Sequence, residues 1–95
     1  MIEGDGVRSS VELRKTVAGN LRTLRRARRL TQAELAKRTS INQVTYCAFE
    51  LGNHEMNYDV LKKIAQFHRV SINSLLGMEG EFKTVDEVLK KYEDF

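Results

Sequence analysis

Apolar residues along this chain recur at helical spacing in short blocks, and a residue able to cap a helix precedes nearly every block. Val17, Leu21 and Leu24 fall at i, i+4 and i+7, one stripe of an amphipathic helix. In Leu30-Thr31-Gln32-Ala33-Glu34-Leu35-Ala36 the pattern is denser. Thr31 is placed to cap a helix, Glu34 three residues on completes a capping box, and Leu30 with Leu35 forms the matching hydrophobic staple. The same device returns at once: Asn42 caps, and Ile41 with Tyr46 staples. Only Thr39-Ser40-Ile41 lies between, enough for a sharp turn. Two short helices joined so tightly predict a helix-turn-helix, whose second helix can enter a DNA major groove.

The remaining elements obey the same grammar. Residues 1–8 carry two glycines and no periodicity and read as an arm. Ser9 with Glu12 opens a first helix running to about Arg28. The second and third helices span 32–39 and 43–51, the third ending at Gly52. A polar loop over 53–56 leads to Asn57, which caps a fourth helix with Leu61, Ile64, Ala65 and His68 on one face. Ser71 caps a short fifth helix, stapled by Val70 and Leu75 and finishing at Gly77. Residues 78–83 read as a linker, after which Thr84 and Glu87 form another capping box ahead of Val85, Val88, Leu89 and Tyr92. The predicted fold is all-α: a domain over 9–77 and a linker with an amphipathic C-terminal helix over 78–95.

Composition narrows the class. At 95 residues the chain is expected to form one domain with one modest core and no effector domain. No apolar run approaches membrane-spanning length and the acidic start lacks a signal-peptide core, so a cytoplasmic protein with no membrane contact is expected. A lone cysteine, Cys47, excludes an internal disulfide and suits a reducing compartment. Charge is lopsided: residues 1–38 hold ten Lys/Arg against Glu3, Asp5, Glu12 and Glu34, whereas the remainder holds six against nine acids. That asymmetry suggests a polyanion for one face, or simply a solvated basic helix. No enzyme is expected, since no nucleophile–histidine pair, paired-carboxylate signature or glycine-rich phosphate loop is present. One cysteine and two distant histidines supply no metal site, and no cofactor is expected.

Taken together, Leu30-Thr31-Gln32-Ala33-Glu34-Leu35-Ala36, the Phe49-Glu50-x-Gly52 ending, Leu61-Lys62-Lys63-Ile64-Ala65 and Val70-Ser71-Ile72-Asn73-Ser74-Leu75-Leu76 resemble the lambda-repressor-like, Xre-type helix-turn-helix domain. The resemblance covers residues 17–76 without a gap. It implies a compact five-helix domain that binds double-stranded operator DNA, usually as a homodimer, here with an additional C-terminal helix. By the same resemblance, Asn42, Gln43, Val44, Cys47 and Ala48 would face base edges. Gln43 can bond adenine at N6 and N7, and Val44 or Ala48 can touch a thymine methyl. Gln32 resembles a phosphate clamp at a helix N-terminus, with Thr31, Thr45, Asn53 and His54 as further phosphate candidates. Arg25 and Glu50 match an ion pair that ties the first helix to the end of the third.

Three positions depart from the family pattern. Ser40 stands where glycine usually takes a left-handed backbone. Tyr46 replaces an aliphatic residue and brings a hydroxyl that needs a partner. The third helix carries no Lys or Arg; basic charge lies instead on the first helix, the arm, Lys37 and Arg38. His68, on an apolar face, is expected to be a packed and hydrogen-bonded histidine. Cys47 is either a small residue tolerated at a DNA surface or a thiol whose oxidation weakens binding. The amphipathic C-terminal helix buries one face on its own domain or on a second copy, pairing being the expected role. Two functional classes remain open: a DNA-binding transcriptional regulator acting as a repressor, with an antitoxin-type autoregulator as a variant, or a protein-interaction module in which DNA contact is secondary. A toxin or anti-repressor is the kind of protein partner these imply.

Overall fold

The computed structural model describes residues 10–55, 57–78 and 85–91. Six helices occupy them: α1 (Ser10–Ala27), α2 (Gln32–Thr39), α3 (Gln43–Leu51), α4 (Tyr58–His68), α5 (Ile72–Leu75) and α6 (Val85–Lys91). The predicted arm, the Ser9 and Thr84 caps, Tyr92 and the linker beyond Met78 lie outside the described residues.

One connector is used three times. Each consists of a left-handed residue, an apolar residue and a cap: Arg29-Leu30-Thr31, Ser40-Ile41-Asn42 and Arg69-Val70-Ser71. The left-handed residue stops the helix and lets the next N–H reach back to a carbonyl five residues earlier, as in Leu30 N to Arg25 O, Ile41 N to Ala36 O and Val70 N to Ala65 O. The apolar residue turns into the core and serves the preceding helix end and the next helix's staple together. Caps then satisfy the new helix start: Thr31 Oγ1 accepts from Glu34 N at 3.1 Å, Asn42 Oδ1 from Thr45 N at 3.2 Å and Ser71 Oγ from Ser74 N at 3.0 Å. Glu34 Oε1 accepts from Thr31 N at 2.8 Å, completing the predicted capping box. Asn57 caps α4 in the same way.

Val17, Leu21 and Leu24 of α1 meet Leu35, Ile41, Tyr46, Phe49, Ile64 and Leu75 in a single core. Full burial of side chains this size stabilises by roughly 1.5–3 kcal/mol each before conformational entropy is set against it. The polar side of α1 is organised as well, because its side chains reach the carbonyl ends of other helices. Asn20 Nδ2 donates to Leu75 O at 2.9 Å, Arg22 Nη1 to Glu50 O, and Arg28 Nη2 to Phe67 O at 3.1 Å. Cations at carbonyl ends also suit the helix dipole. The basic stretch from Arg22 to Arg29 is therefore not a uniform outward face: Arg22, Arg25 and Arg28, the last just past the helix end, are half-buried staples, while Arg26 and Arg29 are exposed.

α6 lies along α1 and sinks Val88 completely into the core, leaving Leu89 about half-exposed. Of its apolar stripe, Val88 is covered within the chain and Leu89 stays partly open to solvent.

Candidate nucleic-acid interface

α2 and α3 are locked by a polar cluster built on Glu50, whose side chain is 1% exposed. Arg25 Nε donates to Glu50 Oε2 at 2.7 Å and Nη2 to Oε1 at 3.1 Å, a two-pronged pair of the strong charge-assisted kind. Arg25 Nη1 also donates to Leu30 O at 2.8 Å, so one guanidinium spans α1, the first connector and α3. Burial opposes ionisation of Glu50, but Arg25, Tyr46 and Gln32 outweigh it and hold the carboxyl below its ordinary range. Tyr46 is buried beside this pair, and burial first, then the Glu50 carboxylate, push its phenol strongly upward. Its hydroxyl closes no hydrogen bond of ordinary geometry there.

Gln32, at the start of α2, is drawn into the same cluster. Its Nε2 donates to Glu50 Oε1 at 3.0 Å, and Cys47 Sγ donates to its Oε1 at 3.2 Å. A side-chain amide nitrogen has two hydrogens, so a second N–H of Gln32 is left to give. The sequence showed the Arg25–Glu50 pair through the family pattern; the Gln32–Glu50–Cys47 link it did not show. Nothing about residues 18 and 15 apart on different helices announces such a contact.

The base-facing set divides by exposure. Gln43 and Val44 in the first turn of α3 are exposed, Val44 at 78%. Asn42 is exposed, with its Oδ1 committed to the cap. Cys47 and Ala48, one turn further on, are half-buried. Among the phosphate candidates, Thr31 closes the α2 capping box and Thr45 offers its backbone N–H to Asn42. Asn53 N completes the α3 terminus by donating to Ala48 O at 3.1 Å. The His54 ring stacks on Phe49 with centroids 4.8 Å apart. Glu55 in the same loop pairs with Arg14 of α1 at 3.1 Å, which ties the loop to the first helix.

His68 is packed and hydrogen-bonded, as its sequence position suggests. Its Nδ1 accepts from Arg28 Nε at 3.1 Å, which assigns the neutral ring's proton to Nε2. Burial, helped by the Arg28 charge, lowers its pKa to about 3. Among the described residues no group of three or more His, Cys, Asp or Glu is placed to hold a metal ion, and no helix is long and apolar enough to cross a membrane.

Two capped helices in tight succession, braced by a buried Arg–Glu pair and presenting the first turn of the second helix to solvent, define a helix-turn-helix domain. A family model described as "Helix-turn-helix domain" matches residues 19–81, and the chain belongs to that DNA-binding family. It is also similar to an uncharacterised HTH-type transcriptional regulator, YqaE, of Bacillus subtilis (strain 168), with 35% identity over 72 residues. The matched region is 76% of this chain and 62% of the relative, so the chain spans less than two thirds of that protein's length. No solved structure matches.

Proposed function

We propose that the chain is a sequence-specific DNA-binding transcriptional regulator that represses by occluding a two-fold-related operator, bound by two copies. The observation carrying this reading is the exposed first turn of α3, with Gln43 and Val44 in water on a helix whose other faces are pinned by Glu50, Tyr46 and Phe49. A glutamine beside a bare valine suits an adenine edge beside a thymine methyl. Gln32 is the phosphate clamp: Glu50 and Cys47 hold its amide while its second N–H meets a backbone oxygen. Thr31, Thr45, Asn53 and His54 supply the remaining backbone contacts. The regulatory role of the similar Bacillus protein, as its name states it, supports the reading.

The Gln43→Ala variant is expected to lose about 1–3 kcal/mol on the preferred site and little on random duplex, whereas Gln32→Ala weakens both alike. Selection from a random DNA pool supplies the preferred site. An unchanged ratio of preferred to random affinity in Gln43→Ala would overturn the base-reading role. A second reading, a protein-interaction module with secondary DNA contact, is favoured by the absence of Lys and Arg from α3 and by the inward Arg22, Arg25 and Arg28. Salt separates the two: affinity for random duplex falls steeply with salt in a DNA regulator and is too weak to measure in the module.

A further inference from the structure

A groove of about 270 Å³ runs between the end of α1, the flank of α2 and α6, lined by Ala27, Arg28, Arg29, Leu30, Arg38 and Leu89. No α3 residue lines it, so it is separate from the base-facing surface. Among the described residues that line it, every charged side chain is an arginine. Arg69 also stands near, and burial together with the Arg69 and Arg38 charges holds the Arg28 pKa below its ordinary value. Among the described residues neither Arg29, Arg38 nor Arg69 forms an ion pair. The carboxylate nearest along α2, Glu34, bonds the backbone of Thr31 and meets the Arg38 charge only at longer range, without an ion pair. Between the arginines lies apolar surface from Ala27, Leu30 and the half-exposed Leu89.

We propose that this groove binds an acidic segment of a partner protein, carboxylates set between the exposed Arg29 and Arg38 and an apolar side chain laid over Leu30 and Leu89, with Arg28, held by His68 and Phe67, adding positive charge from the wall. Guanidinium forks match carboxylates in two-pronged geometry, and a carboxylate relieves the mutual repulsion of the arginines. A peptide suits the groove better than a small polyanion. Arg29, Arg38 and Leu89 are exposed walls, so a small molecule stays largely in water, while a peptide gains contacts beyond both ends. Duplex phosphates have no use for the leucine floor.

The test is titration of the isotope-labelled full chain with a short acetylated, amidated peptide of alternating Glu and Leu, monitored by amide shifts. Saturable shifts are expected at Ala27, Leu30 and Leu89, with affinity falling about tenfold in Arg29→Glu/Arg38→Glu. Should that double variant melt differently from the parent, Arg38→Gln is read instead, with a loss of about threefold expected. Equal binding by a Gln/Leu peptide, or equal affinity in the variants, would overturn the proposal. So would pyrophosphate shifting these residues where the peptide does not. Saturating the protein with random duplex is expected to leave the peptide shifts in place; displacement by duplex would make the groove a DNA surface and refute the partner site. A chain that binds no DNA sinks the regulator reading and leaves the peptide result standing.

Discussion

Ser40 holds φ 59 and ψ 37 between the two helices of the motif, a backbone that a Cβ disfavours by roughly 1–2 kcal/mol. Arg29 and Arg69 occupy equivalent helix ends with φ of 58 and 59, whereas Gly52 and Gly77 take the same role without a side chain. The neighbouring Ile41 imposes this conformation, because its N–H must reach Ala36 O while its side chain enters the core. Ser40→Gly is therefore expected to stabilise the domain. The greater unfolded-state freedom of glycine offsets part of the relief, leaving about 0.5–1 kcal/mol. That corresponds to a melting midpoint higher by a few degrees in a domain this size. A midpoint that stays put or falls would show that Ser40 gains something its backbone does not reveal.

Between elements, the α1–α4 clamp makes stability depend on pH. Arg28 donates to His68 Nδ1 and to Phe67 O, and stacks over the Phe67 ring at 4.7 Å from its centroid. The cation disfavours a second positive charge on His68, and burial disfavours it more. A histidine whose pKa is about 3 folded and 6.5 unfolded binds its proton more readily when unfolded. Stability from the neutral ring is complete above 6.5 and is lost as the pH falls towards 3. Within that window the slope reaches up to about 1.4 kcal/mol per pH unit. His68→Gln keeps an acceptor for Arg28 without titrating, so its denaturation midpoint is expected to be flatter between about pH 6.5 and 4.5. The comparison is made above about 4.5 because Glu50, held below its ordinary value by its partners, adds its own acid sensitivity further down. Parallel pH profiles for the two proteins would refute the buried-neutral assignment.

Across the molecule, α6 joins the motif to residues beyond the five-helix domain. Val88 is fully buried against α1, and burying a side chain of that kind contributes roughly 1.5–3 kcal/mol. A truncation ending at Gly77 is expected to melt lower by a corresponding amount; an unchanged melt would mean that α6 contributes nothing to the core. The same protein tests pairing, which an operator with half-sites about 34–36 Å apart rewards through a fixed dyad. Sedimentation and operator affinity matching full length would place the pairing surface elsewhere and leave α6 its packing role.

The features legible in the sequence alone are local ones. The limits of α2 and α3 could be read because a cap acts over three residues: Thr31 on Glu34, Asn42 on Thr45. The sharp turn over Thr39-Ser40-Ile41 came from the same short-range geometry, its left-handed residue from the family pattern, and the core stripe of α1 from period alone. The Arg25–Glu50 pair, 25 residues apart, was visible only through the family pattern. Packing settled the rest. Arg22 and Arg28 turned inward to carbonyls 28 and 39 residues away, Asn20 reached Leu75 across 55, and Val88 chose its own domain. A basic residue on a helix reads the same whether it meets solvent, a phosphate or another helix's carbonyl end. Only the packing of the elements brings one of those partners within hydrogen-bond reach, because a hydrogen bond acts over about 3 Å and its partner's place is set by the whole fold.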